Sequence, residues 1–158
     1  MKEALNYRYA SLQEVEMLVE LRLQDLRLFS ERELPPKARE AIHHFYQEKM
    51  TAGQCHTLLG ESCGRIAATA TVYYYETLPS NENPLGKTAQ LTSIWVDEAF
   101  RRQGIARHMA ELLLEQAKRD GAGRAVLNSS EMAEGLYLKI GFQRQEHHFT
   151  KTLSSAIL

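Results

Sequence analysis

The sequence predicts an α/β protein built on one mixed sheet. Residues 88–127 read as strand, helix, strand, which is a parallel crossover unit. Residues 54–76 read as two strands around a turn at 60–64, which is an antiparallel hairpin. Two helices precede the hairpin, so parallel and antiparallel pairs must share a sheet. Ligands of such sheets commonly bind beyond the carboxyl ends of the parallel strands.

The elements follow in order. A short strand is expected at 7–10. Ser11 then has the character of a helix N-cap, with Glu14 three residues later to complete a capping box. Leu12, Val15, Leu18, Val19, Arg22, Leu26 and Phe29 follow at steps of three and four. They form one helical face, apolar except at Arg22. The polar segment 30–34 leads to a second helix, opened by Pro35 and Pro36. Its buried stripe is Ala38, Ala41, Ile42, Phe45, Tyr46 and Lys49, and Gly53 ends it. Strands are expected at 54–59 and 65–76, the second rich in Thr, Val, Ala and Tyr. Residues 78–87 hold two prolines, two asparagines and a glycine and form a loop. A third strand at 88–96 is apolar enough to be buried. The helix at 104–120 carries Ile105, Met109, Leu112, Leu113 and Ala117 on one side, and Gly121 and Gly123 stop it. A short buried strand at 125–127 and a short helix at 133–140, closed by Gly141, come next. A strand-like remainder at 142–153, bent near 146–148, gives the order β-α-α-β-β-β-α-β-α-β.

The 158 residues are expected to form a single domain, 1–158. Nineteen basic and 20 acidic residues leave a net charge of −1, with no long-range field to attract nucleic acid or an anionic membrane. No apolar run approaches the ~18 residues of a membrane span, and the first residues lack the apolar core of a signal peptide. Cys55 and Cys63 are too few for a disulfide framework. Free thiols fit a reducing compartment, so a cytoplasmic protein is expected. A homodimer is the default assembly, although no residue argues for it. His43, His44, His147 and His148 are adjacent pairs pointing apart, and no ligand spacing suggests a metal.

The chemically informative stretch is 96–110, VDEAFRRQGIARHMA. A buried strand ends in a polar turn of Arg101, Arg102, Gln103 and Gly104, and a helix starts at once. Backbone N–H groups at a helix start lack partners and carry about half a positive charge. Gly104 lets an anion approach the backbone, and Ala106 keeps the next position small. Arg101, Arg102 and Arg107 add charge suited to phosphate oxygens. This is a pyrophosphate cradle in physical terms, and equally a solvated basic turn before an ordinary helix. No G-x-G-x-x-G is present, and 86–88 lacks the glycine and the helix of a P-loop.

The run from Arg101 to Ala106 resembles the R/Q-x-x-G-x-G/A signature of the GNAT superfamily of acyl-CoA-dependent N-acetyltransferases. LYLKIGF at 136–142 is similar to that family's LYxKxGF ending, at the usual distance downstream. The resemblance covers 88–142; residues 1–87 match only in element order. It implies a central mixed sheet of six to seven strands flanked by about four helices, and acetyl-CoA as cosubstrate without a metal. Backbone amides from Gln103 through Ile105 and Ala106 to Arg107 would hold the pyrophosphate. The strand at 91–96 would splay from its neighbour at 125–128, and the pantetheine arm would pair with Ile94, Trp95 and Val96. Asn128 is the polar contact expected from the neighbouring strand.

Acetyl transfer also needs a neutral amine, an oxyanion donor and a proton for the leaving thiolate. An amine of pKa ~10.4 is only about 0.04% neutral at pH 7, so a base is useful. The Val96 N–H suits the oxyanion. The resemblance assigns the thiolate's proton to Tyr137, a phenol protonated at neutral pH. Some members carry a glutamate where this chain has Gln90, which cannot take a proton; Glu76, at the end of the tyrosine-rich strand, is an alternative base, acting directly or through water, and equally a solvated strand-end charge. The acceptor is expected to be the primary amine of a small molecule, and the resemblance implies a pocket shaped by 26–36, 73–76 and 146–149, with at least one of Tyr73, Tyr74 and Tyr75 available to line it. Glu31 and Glu33 are available to a cationic amine. The alternatives are a protein N-terminus or lysine as acceptor, or a CoA-binding module without catalysis.

Overall fold

A computed structural model of the chain describes residues 4–29 and 33–153. Strand β1 (Asn6–Tyr9) leads through a one-turn 3-10 helix (Leu12–Glu14) into α1 (Val15–Phe29) and α2 (Pro36–Thr51). Then come β2 (Cys55–Ser62), β3 (Arg65–Glu76), β4 (Lys87–Val96), a second 3-10 turn (Glu98–Phe100), α3 (Ile105–Arg119), β5 (Arg124–Val126) and α4 (Glu134–Lys139). The strands form one sheet in sequential order, β1-β2-β3-β4-β5. Every neighbouring pair is antiparallel except β4 and β5, which the α3 crossover makes parallel.

The capping box forms: Glu14 Oε1 accepts the Ser11 N–H at 2.9 Å. The turn it caps is 3-10, and the α-helix starts only at Val15. In α2 just one residue of the expected stripe, Tyr46, is fully buried. Lys49 reaches the sheet differently, donating from Nζ to the Tyr74 carbonyl at 3.2 Å. The side chain of Phe29 and the joining residues 30–32 lie outside the description.

Five strands stand where six to seven were expected, because 142–153 forms no strand among the described residues. The cause is local. Residues 143–148 read QRQEHH, with no alternating apolar face to bury. The strand beside which they would pair, β5, is only three residues long.

Two apolar clusters sandwich the sheet. On one face Ala68, Ala70, Val72, Tyr74, Ala89 and Leu91 meet Ile105, Met109, Ala110, Leu113 and Ala117 of α3, together with Tyr137 of α4. The small alanines let α3 lie close, and Met109 and Leu113 are wholly buried, each stabilising the fold by about 1.5–3 kcal/mol. On the other face Leu18, Val19 and Leu23 of α1 join Tyr46 and Cys55. Among the described residues no helix is long and apolar enough to cross a membrane.

One irregularity positions the site. Trp95 pairs with Thr69 and Thr92 with Thr71, so Ser93 and Ile94 together face Ala70. This is a β-bulge, and Ser93 takes a left-handed φ of 51°. The extra residue switches the strand's faces. Ala89 and Leu91 point to α3 before it; Ile94 and Val96 do so after it. Ser93 and Trp95 thereby line the α1 side.

Candidate active site

β4 and β5 pair at only three positions: Thr88 with Arg124, Ala89 with Ala125 and Gln90 with Val126. Beyond Gln90 the strands part, while β4 stays paired with β3 as far as Val96 and Ala68. Among the described residues, 91–96 therefore present one edge without a strand partner. The Asp97 N–H donates to the Ala67 carbonyl at 2.7 Å, on the β3 side. Successive strand amides alternate direction, so the Val96 N–H faces the opening. Its carbonyl is taken by Arg101 Nε at 3.0 Å. Arg101 thus ties the turn to the strand end.

The turn itself is wound by two left-handed residues, Arg102 (φ 63°) and Gly104 (φ 76°). A Cβ on Gly104 would meet no protein atom within 4 Å. Glycine serves the backbone conformation there, and space outside it is open. The first bond at the head of α3 runs from the His108 N–H to the Gly104 carbonyl at 3.0 Å. Among the described residues the amides of 103–107 have no backbone acceptor. Arg101, Arg102 and Gln103 are exposed and Ala106 is half-buried. Ile105 is buried under α3, so only its backbone is available. Arg107 is bonded to Glu111 at 3.0 Å, which spends part of its charge within the helix. Asn128 lies two residues past β5 and is exposed.

Tyr137 is 8% exposed and packs edge-on against Phe142, ring centroids 5.9 Å apart. Burial pushes its phenol above the ordinary value of 10.0. Among the described residues the one buried side-chain polar atom without a partner is Asn83 Oδ1. The Tyr137 hydroxyl, which bonds to no described residue, therefore opens outward.

Glu76 does not join this group. It pairs with Lys87 at the opposite end of β4 and is exposed. Nine strand residues, roughly 30 Å, separate Lys87 from Val96. Gln90 stands at the branch point and donates to the Leu91 carbonyl at 3.2 Å.

Across the bulge from the opening, a cavity of about 430 Å³ lies between α1 and the sheet. Its walls are Leu18, Leu21, Arg22, Asp25 and Leu28 of α1, Tyr46 of α2, Thr57, Thr69 and Thr71, and Ser93 and Trp95. A second cavity of about 290 Å³ shares Arg22, Tyr46, Thr71 and Ser93 with it and adds Phe45 and Tyr73. Of the three tyrosines, Tyr73 is the one that lines it, stacked edge-on against Phe45. Arg22 Nη1 donates to Asp25 Oδ2 at 3.2 Å and to Ser93 Oγ at 3.1 Å. Neither Asp25 nor Ser93 was singled out from sequence. Arg22 was visible as the single charge in an apolar helix stripe. Glu33 and 146–149 do not line either cavity, and Glu31 lies outside the described residues.

Cys55 and Cys63 are not joined in a disulfide. Burial pushes the Cys55 thiol up to about 12, so it stays protonated and a poor nucleophile. Among the described residues no three His, Cys, Asp or Glu side chains cluster as a metal site would require.

The model of the Acetyltransferase (GNAT) family matches residues 16–142. Glucosamine 6-phosphate N-acetyltransferase 1 of Oryza sativa subsp. japonica is 26% identical over 111 residues, 68% of this chain and 66% of that one. N-acetyltransferase 8B of Rattus norvegicus is 38% identical over 80 residues, 48% of this chain and 36% of that one. The matches thus span about two thirds and about a third of these relatives' lengths. In fold, a predicted acetyltransferase of Clostridium acetobutylicum solved with acetyl-CoA superposes with a TM-score of 0.84. It is 23% identical, over 94% of this chain and 96% of that one.

Proposed function

Because this chain belongs to the GNAT acetyltransferase family, we propose that it transfers the acetyl group of acetyl-CoA to the primary amine of a small molecule. Transfer would be direct, within one ternary complex. The observation that carries this reading is the divergence of β4 from β5 after Gln90, ending at the unpaired amides of α3. A free strand edge accepts an amide-bearing arm as an added strand, and a helix start accepts its diphosphate. A 430 Å³ cavity beside the same strand suits a small acceptor.

When bound, acetyl-CoA supplies a thioester whose C–S bond breaks as the amine's C–N bond forms. The chain's residues do the rest. The amides of 103–107 bind the diphosphate, with Arg101 and Arg102 beside them. Ile94 holds the arm by its backbone while Trp95 stays turned to Thr69 of β3, and the Val96 N–H, its carbonyl already taken by Arg101, meets the developing oxyanion. Asn128 flanks the arm from the other strand. Tyr137, held protonated by burial, gives its proton to the departing thiolate. The amine loses its own proton to water, since the carboxylate lining the cavity, Asp25, is tied to Arg22. Glu76 has no part in this scheme because of where β3 ends.

Glucosamine 6-phosphate, named for the rice relative, is one amine of suitable size. The test is acetyl-CoA turnover across amine classes, read by free-thiol release. Turnover with small amines is expected. Acetylation of peptides alone, or CoA binding without any turnover, would overturn the reading.

A further inference from the structure

Resting on that reading, we propose that the acceptor is an amino acid with an apolar or aromatic side chain, and that Arg22 holds its carboxylate. Four observations converge. First, Arg22 is a half-buried charge inside an otherwise apolar helix face, and it lines both cavities. Second, its hydrogen bonds to Asp25 and Ser93, among the described residues, both use Nη1. Nε and Nη2 keep a coplanar pair of donors, the fork that binds a carboxylate through two parallel bonds. Asp25 is then a positioning residue that fixes the fork's direction. Third, Ser93 is the bulge residue directly before Ile94. Arg22 touches Ser93 Oγ at 3.1 Å, so an acid held by Arg22 lies beside the strand segment along which an amine would attack, as the carboxylate of an amino acid would. Fourth, Leu18, Leu21, Tyr46 and Trp95 leave an apolar wall for the remaining side chain. Two arginines and one aspartate line the larger cavity, a net charge of +1 that disfavours polycationic acceptors.

The experiment pairs leucine, methionine, phenylalanine and tryptophan with the four amines left when their carboxylates are removed. Wild-type protein should acetylate at least one amino acid with a kcat/KM tenfold or more above that of its amine. In Arg22→Gln the KM for that amino acid should rise about 10- to 100-fold, and the preference over the amine should collapse. Arg22→Lys, which keeps the charge without the fork, should fall between the two. Calorimetry of the same amino acid on the protein–CoA complex should give binding for wild type and none for Arg22→Gln. Amines accepted as well as their amino acids would overturn the proposal while leaving the acetyltransferase reading in place. So would a preference that survives in Arg22→Gln. CoA binding with no turnover in either set would overturn both.

Discussion

β4 passes through two opposite environments. Over 88–90 both edges are paired, and the side chains beneath are tied down. Tyr74 donates to Asp120 Oδ2 at 2.5 Å, His56 Nε2 lies 3.0 Å from the same oxygen, and Gln116 Nε2 reaches it at 3.1 Å. Lys87 Nζ donates to the Asp120 carbonyl at 2.6 Å and stands over the Tyr74 ring. Over 91–96 one edge is open, the strand bulges, and the following turn uses two left-handed residues. One half satisfies its polar groups with its own chain; the other leaves amides for a guest. Water satisfies these exposed donors until a guest displaces it, and a guest that seals them from solvent must bring acceptors of its own. The open half is therefore the one suited to binding, and the closed half the one occupied by the protein's own contacts.

Gly104→Glu should break the open half most severely. A Cβ there meets no protein atom within 4 Å, so the backbone bears the left-handed strain of ~1–2 kcal/mol. A carboxylate at the mouth of the cradle repels the diphosphate. CoA affinity by calorimetry should fall by at least about 100-fold, with circular dichroism unchanged. Wild-type affinity would remove the cradle from the site. Tyr137→Phe comes next. The ring still packs on Phe142, so CoA binding should persist while kcat drops about 100-fold. The pH profile adds a sign. Burial raises the phenol's pKa above 10.0, so it stays protonated from pH 6 to 9 and imposes no alkaline fall there. kcat/KM should rise with pH as the amine's neutral fraction grows. A decline beginning below pH 9 would exclude Tyr137 as the acid.

The closed half should respond the other way. Asp120→Ala leaves Tyr74, His56 and Gln116 without their shared acceptor, at a cost of about 2 kcal/mol. Tm should fall by about 4–8 °C, with CoA affinity retained below the new transition. Burial works against the Asp120 charge, but the bonds from Tyr74, Gln116 and His56 outweigh it and hold the carboxyl below its ordinary 3.8. Its contribution is complete above pH 3.8 and is lost as pH falls through the lower folded value. An equal loss of CoA affinity in Asp120→Ala would erase the distinction between the halves.

Much of this contrast was legible in the residues. The apolar period of 104–120 and the run at 88–96 fixed the crossover, and Gly104 after Arg101, Arg102 and Gln103 marked the left-handed turn at the head of α3. The bulge was not legible, because it is a mismatch of register between β3 and β4, set by partners rather than by either strand alone. It moved Ser93 and Trp95 onto the α1 side and so built the cavity with Arg22. The misplaced base was legible after all. An antiparallel pairing of 65–76 with 88–96 must set Glu76 beside Lys87, far from Val96. The last strand failed for a different reason: β-prone residues such as Phe149 and Leu153 flank a polar run that has no face to bury.

The smallest expected effect comes from the sheet's other border, away from both halves of β4. There Arg8 grips Glu14 through Nη1 and Nη2 at 2.7 and 2.8 Å and reaches Glu61 through Nε at 3.0 Å. The Arg8 bonds first, and the Ser11 N–H second, lower the Glu14 carboxyl from 4.5 to about 2. The pair stands at the surface, so solvent and salt screening leave it a small contribution. Glu14→Gln should lower Tm by about 3 °C at pH 7. A depressed carboxylate stabilises above its unfolded pKa, so the difference from wild type should shrink as pH falls from 4.5 towards 2. CoA affinity should not move. If this border substitution weakened CoA as much as it lowered stability, general softening of the sheet would explain the losses ascribed to the open edge. An unchanged affinity leaves those losses with residues 91–107.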